Sequence, residues 1–194
     1  MNRATLKAAA KASIKGKLGI LFVIGLVITL VNTALAAIPV VGTIASAILA
    51  GGFALATAKI YLGVSEGVKP EIKDAFAYLK QSLPGFFASF LMSLFVSLWT
   101  LLLVIPGFVK ACAYSQTMYI LAEDPSIGPM AAIKQSQEMM KGHKMEYFKL
   151  CLSFIGWSIL ASFTLGILFI WLLPYANTTF ANFYRSLKGE TISA

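Results

Sequence analysis

Three long runs without a charged residue dominate this sequence. Residues 18–58 form an uncharged run of 41, residues 81–109 one of 29, and residues 150–184 one of 35. A transmembrane helix needs about 20 apolar residues to cross about 30 Å of hydrocarbon, so the first and third runs are long enough for two crossings each. Only 12% of the chain is charged, against about 25% in soluble domains. The sequence therefore predicts an all-α integral membrane protein.

Regularly spaced prolines interrupt the apolar sequence. Pro106 lies 67 residues after Pro39, and Pro174 lies 68 residues after Pro106. Proline restricts the residue before it and donates no backbone hydrogen bond, so each of the three is predicted to mark a turn between two helices. The near-constant spacing predicts a single membrane domain of three helical hairpins, with pseudo-repeats at about 1–65, 66–124 and 125–194.

The hairpins supply about six transmembrane segments, predicted near residues 18–37, 41–60, 84–105, 107–122, 149–171 and 174–188. The fourth and sixth are short and polar, so an arrangement with four spans and two re-entrant or interfacial segments stays open. With six spans, 15 of the 16 Lys and Arg residues lie on the side opposite the proline turns. The positive-inside rule places that side, with both termini, in the cytoplasm.

Amphipathic segments precede the predicted hairpins. In residues 3–17, apolar side chains run beside basic ones that recur every four residues, at Arg3, Lys7, Lys11 and Lys15. Residues 70–83 and 129–141 each begin with a proline, which favours the first position of a helix. Helices of this kind lie along the membrane surface on the cytoplasmic side. The four basic residues of the first segment are therefore predicted to contact the headgroups of anionic lipids.

Polar side chains in the fourth and sixth segments are the main candidate functional residues. Gln116, Asn177 and Asn182 lie in apolar sequence, where a polar side chain needs a partner on another helix or in a water-filled cavity. Interhelical contacts and a path for a polar solute both stay open. Tyr114, close to Gln116, belongs to the same candidate set.

Lys110 also belongs to this set, because an intramembrane lysine costs about 2.5–3.5 kcal/mol and is a functional candidate. It lies four residues after Pro106, so a side chain that snorkels to the headgroups is the favoured interpretation. Tyr114, Tyr119 and Tyr184 are predicted to lie at the membrane interface as aromatic anchors. Small residues of the second span, including Gly51 and Gly52, predict a close helix–helix or oligomer contact.

No pattern in the sequence points to catalysis, a cofactor or a metal. A nucleophile elbow, a zinc-binding HExxH, a P-loop and a dinucleotide fingerprint are all absent from the sequence. The net charge of +8 is explained by membrane orientation and attraction to anionic lipid, so nucleic-acid binding is not predicted. The expectation is a protein that is not an enzyme.

Two stretches resemble a bacterial multipass membrane family known as domain of unknown function 975 (DUF975). The first comprises residues 105–110 (Ile-Pro-Gly-Phe-Val-Lys) and 119–125 (Tyr-Ile-Leu-Ala-Glu-Asp-Pro). The second comprises residues 132–136 and 139–144, and the resemblance is most specific over about 105–185. It implies a bacterial cell-membrane protein and carries no established activity.

The predicted function is that of an accessory, membrane-organising or immunity-type protein acting through lipid or a partner membrane protein, with homo-oligomers also open. The alternative is a small-solute or ion transporter or channel with a polar path near Gln116, Asn177 and Asn182.

Overall fold

The computed structural model describes residues 3–38, 40–164, 166–190 and 192. The described residues form α-helices and 3-10 helices, with no strand among them, so the predicted all-α class is confirmed. The α-helices are α1 (Arg3–Ile14), α2 (Leu18–Ala36), α3 (Val41–Ser65), α4 (Ser82–Leu102), α5 (Val104–Tyr114), α6 (Thr117–Glu123), α7 (Pro129–Met139), α8 (Lys144–Phe163) and α9 (Phe169–Leu187). Between α3 and α4 lie 3-10 helices at Ile72–Phe76 and Leu79–Gln81.

Among the described residues, three segments are long and apolar enough to cross a membrane: Leu18–Ala36, Val41–Ser65 and Ile72–Leu102. They identify the chain as a membrane protein. The first turns of α8 contain three charged residues, and the second half of α9 contains several polar ones, which lowers the hydropathy of both. The arrangement with six spans stays a prediction.

The helices turn near the predicted prolines and not at them. Extended Leu103 (φ −157°, ψ 130°) separates α4 from α5, and Pro106 lies in the first turn of α5, where the first N–H groups have no helical acceptor. Pro174 lies inside α9, and the chain reverses before it, near Gly166 (φ 86°). The turn predicted at Pro106 therefore lies three residues earlier, at Leu103, and the turn predicted at Pro174 is wrong. Pro39 lies outside the described residues.

Two further segments differ from their predicted form. Residues 107–122 are not one continuous helix, because the helix is interrupted at Ser115–Gln116 between α5 and α6. Residues 70–83 form two 3-10 helices instead of one amphipathic α-helix. The hydroxyl of Tyr78, between the two, donates to the carbonyl of Ala122 (2.8 Å), and this contact with α6 accompanies the irregular backbone. α7 begins at Pro129, as the sequence predicts.

α3 lies at the centre of the fold and packs against α1, α2, α4, α6 and α9. Its approach to α4 is closest where Gly51 meets Gly85: a Cβ added at Gly51 would lie 2.6 Å from the carbonyl carbon of Gly85. Gly52 meets Ser82 and the carbonyl of Tyr78 in the same way. The small residues of the second span thus form a helix–helix contact within the chain.

Charged helix ends meet at one end of the bundle, which we call the charged end. The Lys17 amine, before α2, donates to the carbonyl of Gly67, after α3 (2.9 Å). The Arg185 guanidinium of α9 donates to the carbonyl of Ser65, the last residue of α3 (2.7 Å). Tyr147, in the first turn of α8, contacts the ring of Phe183 near the end of α9 (5.3 Å between centroids).

Candidate functional site

The break between α5 and α6 is bridged by a side chain of α7. The Ser136 hydroxyl donates to the carbonyl of Ala113 (2.8 Å) and accepts from the backbone N–H of Gln116 (3.2 Å). Ser136 is fully buried. A helix end leaves backbone groups unpaired, and in an apolar interior each must find a partner. Ser136 supplies that partner on both sides of the break.

The Gln116 side chain lies inside this arrangement, with 0% of its surface exposed. Its amide nitrogen donates to the hydroxyl of Ser115 (2.7 Å). Its oxygen has no hydrogen-bond partner among the described residues. Leaving one buried polar atom unpaired costs about 1–3 kcal/mol, so this oxygen is the least satisfied group at the break.

A second polar group lies along α9. Asn182, which is 1% exposed, donates through its amide to the carbonyl of Leu6, so it joins α9 to α1 (3.3 Å). The side chain of Asn177 lies beside Tyr61 of α3. Thr178 and Thr179 between them are fully buried, and Thr179 donates to the carbonyl one turn earlier. The polar residues of α9 thus contact α1 and α3.

The remaining candidates have other neighbours. The Lys110 amine lies 5.0 Å from the centre of the Trp99 ring on α4, a cation–π contact that agrees with a lysine reaching toward an interface. Tyr114 is 5% exposed and packs on Phe95 of α4. In the described part of the chain, no hydrogen bond joins Gln116 to Asn177 or to Asn182. Among the described residues, these candidates contact different helices and are not joined to one another by hydrogen bonds.

Two of the predicted interface tyrosines are core residues. Tyr184 is 2% exposed and stacks on Tyr119, with 5.4 Å between the ring centroids. Tyr114, as above, is also buried. The Tyr184 hydroxyl donates to the Glu123 carboxylate inside the protein (2.7 Å). The prediction that Tyr114 and Tyr184 are aromatic anchors at the interface is wrong, because helix packing covers them.

Sequence reasoning missed an ionic cluster at the charged end. Glu123, the last residue of α6, accepts from the Tyr184 hydroxyl and from the Lys188 amine (2.9 Å), and this carboxylate raises the pKa of Lys188. Arg185 donates to Glu190 (2.6 Å) as well as to the end of α3. The partners in this cluster are far apart in sequence. The signal for it in the sequence is limited to the charged residues near position 123 and at 185–190. The cluster joins the ends of α3, α6 and α9.

α1 buries its apolar side against the protein. Leu6, Ala10 and Ile14 are at most 3% exposed, and α1 packs mainly on α9. The Lys7 amine lies 4.4 Å from the centre of the Phe154 ring, and burial lowers the pKa of Lys7. The helix is therefore docked on the bundle and does not present its apolar face to lipid. The remaining basic residues of the segment, Arg3, Lys11 and Lys15, stay exposed.

A cavity of about 330 Å³ lies between α2 and α9. Its wall is mostly apolar, with residues such as Leu21, Phe169 and Leu173, and includes Tyr61. Gln116, Asn177 and Asn182 are not among its lining residues, although Asn177 lies beside Tyr61. The cavity is suited to an apolar group more than to an ion.

Residues 100–191 match the family model described as "Protein of unknown function (DUF975)". The match covers 92 of the 194 residues. The resemblance over residues 105–185 is thereby confirmed. The DUF975 region contains α5 to α9, and with them the break at Gln116, Ser136 and the ionic residues of α6 and α9. Searches of curated proteins and of solved structures found no match to this chain.

Proposed function

We propose that this DUF975 protein is a non-enzymatic multipass protein of the bacterial cell membrane that acts through its outer surface. It recruits anionic lipid, a partner membrane protein or a second copy of itself, as an accessory, membrane-organising or immunity-type protein does. Its charged end faces the cytoplasm, in keeping with the positive-inside rule.

The supporting observation is a difference between interior and exterior: buried polar side chains contact other helices, whereas basic side chains are exposed. The polar side chains that a solute path would use are engaged between helices, as Asn182 is with Leu6 and Asn177 with Tyr61. By contrast, Arg3 and Lys11 of α1 and Lys15, just after it, are exposed. Each basic residue near an anionic membrane surface contributes about 1 kcal/mol of attraction. The exposed side chains available to contact lipid or a partner are therefore cationic and apolar.

Lipid composition around the protein tests this proposal. The protein is extracted from its membrane in polymer-bounded discs, and the anionic fraction of the co-extracted lipid is compared with that of the bulk membrane. We expect enrichment for the natural chain and a return to the bulk fraction for Arg3→Gln/Lys11→Gln/Lys15→Gln. The matched control Arg3→Lys/Lys11→Arg/Lys15→Arg keeps the charge and retains the enrichment. A bulk composition around the natural chain contradicts the lipid part of the proposal.

Photo-crosslinking from the same face tests for a protein partner. A photoreactive residue at position 11 is activated in native membranes, and one at exposed Leu30 on α2 serves as the control. A discrete crosslinked species that forms only from position 11 supports partner binding at α1. Diffuse crosslinked products that form in equal amounts from both positions contradict partner binding at α1.

A transporter or channel remains the second candidate, because one observation favours it. Among the described residues, Gln116 Oε1, Thr178 Oγ1 and Asn182 Oδ1 are buried oxygens without a hydrogen-bond partner. Oxygens of this kind bind water or cations when they line a path. Solute or ion flux into proteoliposomes that is abolished in Gln116→Leu and Asn177→Leu, and unchanged in the exposed control Gln135→Leu, supports transport. Absence of flux for every solute class tested counts against it.

A further inference from the structure

An apolar groove runs between α5 and α8, with a volume of about 470 Å³. Its walls are large apolar side chains that are 38–78% exposed, namely Ile105, Phe108 and Val109 of α5 and Phe148, Leu152 and Ile155 of α8. Exposed apolar surface of this extent marks a place where a protein contacts lipid or a partner.

The groove has the length of one leaflet of a bilayer. On α5, residues 105, 108, 109 and 112 line it, a spacing that places them on one face of the helix. On α8 the lining extends from Lys144 to Ile155, and 11 residues of helix rise about 16 Å. Half of a hydrocarbon core about 30 Å thick measures about 15 Å. The groove therefore accommodates an extended acyl chain along the helix.

One end of the groove is cationic. Lys144 is the first residue of α8, lines the groove and is half-buried there, and Lys141 lies exposed three residues before it. The nearest acidic side chain in sequence, Glu146, pairs with His143 (3.1 Å). Because α8 begins at the charged end of the bundle, this cation lies where the headgroups of one leaflet lie. The other end of the groove is apolar.

We propose that the α5–α8 groove holds an acyl chain of one anionic phospholipid whose phosphate pairs with Lys144. An amphiphile with a long apolar tail and one anionic end matches a groove that is apolar along its length and cationic at one end. This inference rests on the proposed function, since both place anionic lipid against the chain, and it names one groove within the DUF975 region.

Native mass spectrometry in detergent tests the proposal with phosphatidylglycerol added as the probe. We expect the natural chain to retain one molecule of it in preference to zwitterionic phosphatidylethanolamine. Lys144→Gln weakens retention about fivefold, the factor that about 1 kcal/mol corresponds to. Val109→Trp fills the groove and abolishes retention. The matched controls Lys149→Gln, on the exposed side of α8, and Leu98→Trp, on exposed α4 surface, leave retention unchanged.

Several outcomes overturn the inference. Equal retention by all four variants shows that the lipid binds elsewhere, and equal retention of the two lipids shows that Lys144 does not select the charge. A dimer that forms with the natural chain and is lost in Val109→Trp shows that the groove is an interface between copies. The variant Arg3→Gln/Lys11→Gln/Lys15→Gln separates the two proposals. Suppose that this variant still retains one lipid in the mass spectrum, while the lipid around the natural chain in the discs has the same anionic fraction as the bulk membrane. The groove proposal then stands and the proposed function fails.

Discussion

Replacing Gly51 by alanine tests the close contact between α3 and α4. The added Cβ would lie 2.6 Å from both the carbonyl carbon of Gly85 and the carbonyl oxygen of Ser82, where ordinary contact begins at 3.4 Å. All of these atoms belong to the backbone of α4, so no side chain can rotate away. The helices must separate by at least about 0.8 Å, and a gap of 0.5–1 Å forfeits a quarter to a half of the dispersion energy of each contact.

The expected loss of stability follows from this separation. Overpacking a close contact costs about 1–3 kcal/mol, and we expect the upper end because the whole α3–α4 contact is displaced. For a chain of this size 1 kcal/mol corresponds to a change of about 2–4 °C in Tm, so Gly51→Ala should lower the apparent Tm by about 6–12 °C. The assay is the loss of the monodisperse fraction on heating, in one detergent and at one protein concentration.

Matched glycines elsewhere provide the control. Gly25 in α2 and Gly156 in α8 are helical and exposed, and a Cβ at either meets nothing within 4 Å. Alanine there should leave the apparent Tm unchanged or raise it, because helix propensity improves by about 0.5–1 kcal/mol. In a double-mutant cycle, Gly51→Ala and Gly85→Ala should cost less together than the sum of the two, since the first already separates the helices. Equal melting of Gly51→Ala and Gly25→Ala refutes the close approach.

Three further substitutions are expected to lower stability in the same assay. Ser136→Ala leaves the backbone at the α5–α6 break unpaired and should cost about 1–3 kcal/mol, whereas Ser158→Ala, which loses only a bond within α8, should cost less. Glu123→Gln weakens the contacts to α9 at the charged end, and we expect a loss of about 1–2 kcal/mol. The exposed Glu138→Gln should be neutral, and an equal effect would contradict the ionic cluster. Ile14→Ala should cost about 2–5 kcal/mol if α1 is docked as described, and a neutral result would mean that it is not.

Composition and small residues predicted the coarse architecture well. The uncharged run of residues 18–58 corresponds to α2 and α3, with helix limits close to those predicted. Gly51 and Gly52 lie at a close helix contact because only glycine lets backbones approach this far, and that requirement is local enough to be visible in sequence. What the sequence left open was which helix the contact involves.

The prolines were less informative than their spacing suggested. Proline is tolerated in the first turn of a helix, where Pro106 lies, and inside a membrane helix with suitable neighbours, where Pro174 lies. Gly166, with its positive φ, marks the turn before α9. A glycine and a proline eight residues apart both signal a break, and propensity alone does not decide between them.

Long-range polar contacts were beyond sequence reasoning. Asn182 was recognised as a side chain in need of a partner, but the Leu6 carbonyl that it contacts lies 176 residues away. The partners Glu123 and Lys188 are 65 residues apart. Such pairs depend on how helices are arranged in space, and one sequence without a fold does not specify this arrangement. The pseudo-repeats at about 1–65, 66–124 and 125–194 stay a prediction.

Cysteine labelling tests most directly whether the charged helix ends all lie on the cytoplasmic side of the membrane. In a background with Cys112 and Cys151 replaced by serine, single cysteines are placed at Lys15, Ser126 and Lys141, and a membrane-impermeant maleimide is applied to intact cells and to inside-out vesicles. We expect all three positions to react in the inside-out vesicles and none in intact cells. Reaction of any one of them in intact cells would contradict the proposed orientation and the cationic cytoplasmic surface built on it.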